Sequence, residues 1–402
     1  MKILFVHNKY LMSEGGEDTS VAAESNLLNA HGHTTKILFF DNADMGEGLW
    51  GKINAGISAI YNKSSALILK KEIQEFGPDL IHIHNFFFQA SPAVIIEAKK
   101  HNIPVVVTIQ NFRLLCTNAL LLRNNKICEL CINKTFAWYG IIYKCYNNSA
   151  TQSAAVAGMA GIHKIAGTWR HSVDQYITPA EFIKAKLINS SLKLNPAKVV
   201  IKRNFVSDAG KAEGNKRANF FLFVGRISIE KGVNVLLNGF RNLPDDQLMI
   251  VGDGPHRERL MNEYGHLKNI QFAGKKDKAE VIALMKECKA LIFPSIWYEG
   301  LPLTIIEAFS TGTPVIASKV GAMEEMVISK VNGLLFEAGS VSRLYEAISI
   351  FKGYIKDSNF ALYEGARQSY LDYYHPDVCY ETTINIYKNL VSSQKEKPIV
   401  TR

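Results

Sequence analysis

Long apolar runs are missing from this chain. No stretch reaches the roughly 18 consecutive apolar residues that a membrane-crossing helix needs. The apolar start at Ile3–Val6 is too short for a signal peptide and reads as a first strand. The expectation is therefore a protein that stays in the cytoplasm. Neither of the glycine loops that follow a strand, at 15–16 and at 225–232, reads Gly-x-Gly-x-x-Gly, which argues against a dinucleotide-binding oxidoreductase. Asp-x-Asp does not occur either, so no carboxylate pair for a catalytic divalent ion is visible. Motifs that read RNA or DNA are absent, and nucleic acid is not an expected partner. Acid is scarcer than base: 37 Asp and Glu stand against 46 Lys and Arg, a net charge of +9. That favours an anionic partner, or simply a solvated basic surface. Cysteine is scarce too, with six in 402 residues, which is no disulfide framework in a cytoplasmic chain.

What is present fits an α/β protein. A chain of this length exceeds one ordinary core, so two domains are expected. Ile3–Val6, a loop holding Gly15 and Gly16, a helix over 17–31 and a strand over 35–40 make the opening of a doubly wound domain. Further strands are expected at 80–84 and 104–109, and 199–204 closes the first half. His82 and His84 alternate with Ile81 and Ile83 and share a face; His84 either reaches a cleft or is a satisfied core histidine. Residues 50–76 read as one long helix, either a domain-surface helix or one resting on an anionic membrane.

Four cysteines cluster as Cys116-x11-Cys128-x2-Cys131-x13-Cys145. The spacing leaves two readings open: a structural zinc held by four thiolates, or reduced thiols without metal. The same stretch mixes Trp138, Tyr139 and Tyr143 with Lys134 and Lys144. Such a mixture suits peripheral contact with an anionic membrane or a lipid-linked acceptor, and equally a packed insertion.

The second half restarts the pattern. Phe220–Val224 reads as a strand followed by Gly225-Arg226, then Lys231-Gly232 and a helix. Two cations at a strand-to-helix loop make a diphosphate site. A strand at Leu291–Phe293 leads into Glu299-Gly300-Leu301-Pro302-Leu303-Thr304 and a helix carrying Glu307. Amides at that helix start are unpaired donors at a positive end. Glu307 sits among Ile305, Ile306, Ala308 and Phe309, where a carboxylate is costly without a hydrogen-bond donor.

The Glu299-x7-Glu307 spacing, with Arg226-x4-Lys231-Gly232, resembles the retaining glycosyltransferases of family 4, the bacterial surface-polysaccharide type of group 1 glycosyltransferases. The resemblance implies a GT-B fold, two Rossmann-like doubly wound domains facing across a cleft. Residues 1–206 would form the acceptor domain, with a cysteine-containing insertion at 112–150. Residues 207–375 would bind the nucleotide sugar, and 376–402 would be a helix crossing back, plus a tail. It implies transfer of a hexose from a UDP- or GDP-sugar to a glycan or lipid-linked acceptor with retention, without a catalytic metal, at the inner face of the cytoplasmic membrane. Arg226 and Lys231 would grip the diphosphate, with amides of Gly300–Thr304, and Glu299 would face the anomeric carbon. Glu307 would hold the ribose, backbone near Lys275 would seat the base, and the Gly15–Gly16 loop would approach donor phosphate and acceptor. Gln110 stands where that family usually carries histidine. A catalytically idle GT-B partner subunit is the alternative that this departure suggests.

Overall fold

Fourteen short strands form among the described residues; twelve lie in two all-parallel sheets, and the central ones are buried, as their Val-, Ile-, Leu- and Phe-rich runs dictate. The computed structural model describes residues 1–9, 16–42, 56, 58–212, 217–357 and 361–395. The chain divides into two units. One comprises residues 1–121, 128–202 and 380–402; the other comprises 122–127 and 203–379.

The first unit holds β1 (Lys2–Lys9), β2 (Thr34–Asp41), β3 (Leu80–Asn85), β4 (Val105–Thr108), β7 (Gln175–Thr178) and β8 (Val199–Ile201), in the sheet order β2-β1-β3-β4-β7-β8. The second holds β9 (Phe220–Val224), β10 (Gln247–Val251), β11 (Ile270–Gly274), β12 (Leu291–Phe293), β13 (Val315–Ser318) and β14 (Gly333–Phe336), in the order β11-β10-β9-β12-β13-β14. A two-strand hairpin, β5 (Leu122–Arg123) with β6 (Lys126–Ile127), completes the set. In the second sheet the winding direction reverses between β9 and β12, which pair through Leu222 and Leu291. Parallel α/β sheets bind ligands beyond the carboxyl ends of strands at such a reversal. Below it the core is aromatic: Phe221 packs edge-on against Phe240 and Phe351.

The long helix expected over 50–76 is not continuous. A helix runs Lys63–Phe76, because the Asn62 side chain accepts from the amides of Ser64 and Ser65 and caps it there. Residues 50–55 and 57 of that expectation lie outside the described residues. Among the described residues no helix is long and apolar enough to cross a membrane.

The first unit is cross-linked by a buried polar cluster. Lys202 Nζ donates to Glu24 Oε2 at 2.6 Å, with both side chains almost wholly buried. Tyr387, on the C-terminal helix Pro376–Lys395, donates its hydroxyl to Glu24 Oε1 at 3.2 Å. His82 Nδ1 lies 2.6 Å from the Tyr387 hydroxyl and Nε2 lies 2.7 Å from Thr108 Oγ1. A neutral ring with its proton on Nδ1 satisfies all of these groups together. Burial holds His82 down to about 4, against the attraction of Glu24 and with the help of Lys202. Burial pushes Glu24 upward, but Lys202 and His82 outweigh it and hold the carboxyl below its ordinary value.

Both shifts act in one direction. The unfolded chain takes up protons that the native cluster refuses, so stability is lost as the medium acidifies. The urea midpoint should fall steadily from the ordinary histidine value of 6.5 towards about 4. A flat midpoint across that interval in a pH series would show that His82 titrates like an exposed ring.

Candidate functional site

Three glycines set the geometry of the second unit's carboxyl edge. Gly232, with φ at 71°, closes the short 3-10 turn Ile229–Lys231, and a Cβ there would lie 1.8 Å from the Pro294 carbonyl oxygen. A Cβ on Gly252 would meet the Gly225 carbonyl oxygen at 1.9 Å, and one on Gly254 would meet that of Ile227 at 2.5 Å. The exits of β9, β10 and β12 are thus nested backbone against backbone, which only glycine permits. A hydrogen bond from the Ile296 amide to the Glu230 carbonyl, 2.9 Å, ties the loops further.

This nesting brings Lys231 to Glu299. Lys231 Nζ donates to Glu299 Oε1 at 2.7 Å and lies 5.6 Å from the ring centres of both Phe293 and Trp297. The same carboxylate oxygen accepts from Ser295 Oγ at 2.7 Å and Trp297 Nε1 at 2.8 Å. Glu299 is buried and held by three donors, so it is fixed in place before any ligand arrives. Arg226 differs. Its side chain is exposed and makes no hydrogen bond or ion pair among the described residues. Of the two cations expected to grip an anion, one is already paired and the other is available.

Pro302 occupies the N-cap position of the helix Leu303–Ser310 and has no side chain to cap it. Leu303 and Thr304 therefore keep amides without acceptors at the positive helix end, beside Gly300 and the buried Leu301. Glu307, one turn on, has a side chain four-fifths buried, with Lys278 Nζ 3.9 Å away as its nearest cation. Burial raises its carboxyl above the ordinary value, against the pull of Lys278. Lys275 lies exposed immediately beyond β11.

Several groups at this edge carry no motif signal in the sequence. Ser295 and Trp297 hold Glu299, and Lys278 approaches Glu307. Arg257 reaches to 4.0 Å of a Cβ built on Gly274, and its buried Nε is without a partner. A tryptophan two residues before a loop carboxylate was the one cue available for the first pair.

In the first unit, Gly15 lies outside the described residues and Gly16 begins the helix Gly16–Ala30. His84, Thr108, Gln110, Asn111 and Arg113 line a cavity of about 30 Å³ at the ends of β3 and β4. That is room for one or two waters or a single hydroxymethyl group. Both ring nitrogens of the buried His84 lack hydrogen-bond partners. Glu24, His82 and His84 form the sole cluster of metal-ligand types among the described residues. Lys202 already neutralises Glu24 there and both His82 nitrogens are bonded, which argues against an ion. The four cysteines do not converge as a zinc site. No three of their sulfurs, among the described residues, lie within 4.8 Å of one another. Cys116 instead donates its thiol to Asn118 at 2.9 Å.

Residues 207–358, which contain the whole Arg226–Glu307 arrangement, match the family model for glycosyl transferases group 1. Over this segment the chain is similar to the group 1 glycosyltransferases, and its two parallel-sheet units have the GT-B fold. An uncharacterised glycosyltransferase of Methanocaldococcus jannaschii is 29% identical over 73% of this chain and 70% of its own length. O-antigen chain mannosyltransferase C of Escherichia coli is 27% identical over 46% of this chain, and the match spans about half, 48%, of that relative. Among solved structures, HepE of Anabaena in complex with UDP superposes with a TM-score of 0.66, covering 97% of this chain and 100% of that one at 15% identity.

Two outcomes test the geometry. Gly232→Ala should destabilise the protein by about 3 kcal/mol or more, since it combines a left-handed φ with a backbone clash; a urea midpoint close to wild type would refute the locked-loop reading. Glu307→Gln should leave the melting temperature unchanged or higher at neutral pH. The ionised carboxylate is disfavoured by burial, so its stabilising share exists only at low pH and is lost as pH rises through the raised value. A clear drop in melting temperature would show instead that Glu307 is structurally paired.

Proposed function

We propose that this chain is a retaining hexosyltransferase. It would move a sugar from a UDP- or GDP-sugar to the hydroxyl of a glycan or lipid-linked acceptor in bacterial polysaccharide synthesis. The observation that carries the reading is the conjunction in the second unit of an unpaired Arg226, the fixed Lys231–Glu299 pair and free amides at Leu303 and Thr304. The O-antigen relative and the UDP complex support the substrate class. A diphosphate fits the helix end and Arg226. Glu307 is a buried acceptor in want of a donor, which a ribose hydroxyl supplies. Glu299 is aimed by three donors and would hold the hydroxyls of the donor sugar.

In the reaction the bond from the anomeric carbon to the diphosphate oxygen breaks, the acceptor hydroxyl's oxygen takes its place on the same face, and the hydroxyl proton passes to the departing diphosphate. Negative charge grows on the departing diphosphate. Arg226, Lys231 and the helix amides meet that charge from positions set before the reaction, so little reorganisation is needed as it develops. Lys231 also shares its charge with Glu299. An arriving diphosphate would draw the ammonium partly away and leave Glu299 freer for the sugar.

A nucleotide sugar at about a hundredfold above its dissociation constant should stabilise the protein by about 2.7 kcal/mol, raising the melting temperature by roughly 5–10 °C. Arg226→Ala should weaken that donor about tenfold to a hundredfold, the worth of a lost charge-assisted contact. A screen of UDP- and GDP-sugars by thermal shift reads both. Failure of every nucleotide sugar and of UDP and GDP alone would sink the assignment. A shift without transfer to any acceptor would favour the idle partner subunit.

A further inference from the structure

At the exit of β10 the helix Arg257–Tyr264 opens with an arginine that the described residues leave unanswered. Its side chain is half-buried and makes no hydrogen bond or ion pair among them, and its Nε is sealed from solvent without an acceptor. A guanidinium cannot shed its charge, so a buried donor on it that stays unpaired is costly. The arginine is also held in place. The Ile227 amide donates to the Asp253 carbonyl at 2.9 Å and the His256 amide to the Ile227 carbonyl at 3.3 Å, which stitches the loop before Arg257 to the one after Arg226. Arg257 Nη2 lies 4.0 Å from a Cβ built on Gly274. Apart from the chain neighbours of Gly274, no other atom of the described residues comes that near. Gly274, with φ at 70°, thus ends β11 as an open face of bare backbone with a guanidinium on its flank.

Arg226, Arg257 and Lys275 follow β9, β10 and β11, which are successive strands of the sheet. Neighbouring strands lie about 4.8 Å apart, so the β11 exit is about 10 Å from that of β9. A nucleotide whose diphosphate lies at Arg226 and the helix amides reaches the β11 exit with its base. What faces Arg257 there must offer acceptors, since a guanidinium only donates, and its planar fork suits two acceptors side by side. Guanine carries such a pair, O6 and N7, on one edge. Adenine sets an amino group beside its N7, and uracil sets a C–H beside its O4, so either leaves one arm of the fork unmet. We infer that Arg257 reads the O6–N7 edge of guanine over Gly274, which makes the donor a GDP-sugar and not a UDP-sugar. The inference rests on the donor site proposed above and adds to it the choice of base.

Isothermal titration of the full chain with GDP and with UDP tests it, alongside melting temperatures measured without nucleotide. GDP is expected to bind about tenfold to a hundredfold tighter than UDP, the discrimination a bidentate arginine contact supplies. 7-Deaza-GDP, which lacks the N7 acceptor, should bind about tenfold more weakly than GDP. Arg257→Lys keeps the charge and loses the fork; it should bring GDP to within about threefold of UDP and leave UDP itself little changed. Wild type that binds UDP, or 7-deaza-GDP, as tightly as GDP overturns the inference. So does an Arg257→Lys protein that melts like wild type yet keeps the preference. The two comparisons on wild type hold even where the variant melts early. Binding of neither GDP nor UDP overturns the donor site and this inference together, whereas binding of UDP alone overturns only the choice of base.

Discussion

The approach of Gly232 to the Pro294 carbonyl is the constraint on which the second unit's chemistry depends. It brings two strand exits, separated by more than sixty residues of chain, to backbone contact. Lys231 is the residue before that glycine, and Glu299 closes the loop on the other side. Neither could be held at 2.7 Å by loops free to splay. The parallel sheet supplies the coarse placement, because β9 and β12 are neighbours at the reversal of winding. The glycine supplies the last few ångströms. Site and scaffold are therefore not separable here: the steric absence of one Cβ is what allows one ion pair.

The two units handle buried charge in opposite ways. In the first, Glu24 is surrounded by Lys202, Tyr387 and His82, and the carboxylate is satisfied within the protein. Such a cluster is costly to desolvate and costly to break, and it specifies how the C-terminal helix docks. In the second, Glu307 is buried with only a distant lysine. On the proposed function that deficit costs stability in the free protein and is offset by a donor-bearing ligand. A satisfied buried acid reads as architecture, and an unsatisfied one reads as a site.

Much of this was legible in the sequence where contiguous residues carry the signal. The strand at Phe220–Val224, the glycine-rich exits and the loop from Glu299 into its helix all lie within short windows, and they form as the residue types dictate. What the sequence hid is pairing across distance. Lys231 and Glu299 had separate roles on paper, and only the sheet order makes them partners. Val315–Ser318, a four-residue strand, was not among the expected strands, because it is short and directly follows threonine, glycine and proline. Asn62 stops a helix that hydrophobic periodicity alone would continue, because capping is a local hydrogen-bond event and not a pattern. Cysteine spacing set no convergence of sulfurs, since spacing says nothing of where intervening turns aim each side chain.

The C-terminal helix has a consequence for how the chain is made. Tyr387 completes a cluster whose other members, Glu24, His82 and Lys202, leave the ribosome far earlier. The whole run 203–379 of the second unit is synthesised in between. The first unit cannot close its core until that intervening unit has emerged, whereas the second has almost all of its own residues in one continuous stretch. Domains built from contiguous chain fold as they appear, and those that wait for a distant segment bear the loop-closure entropy of everything between. The second unit's residues are therefore nearly all synthesised before the helix that completes the N-terminal unit's buried cluster.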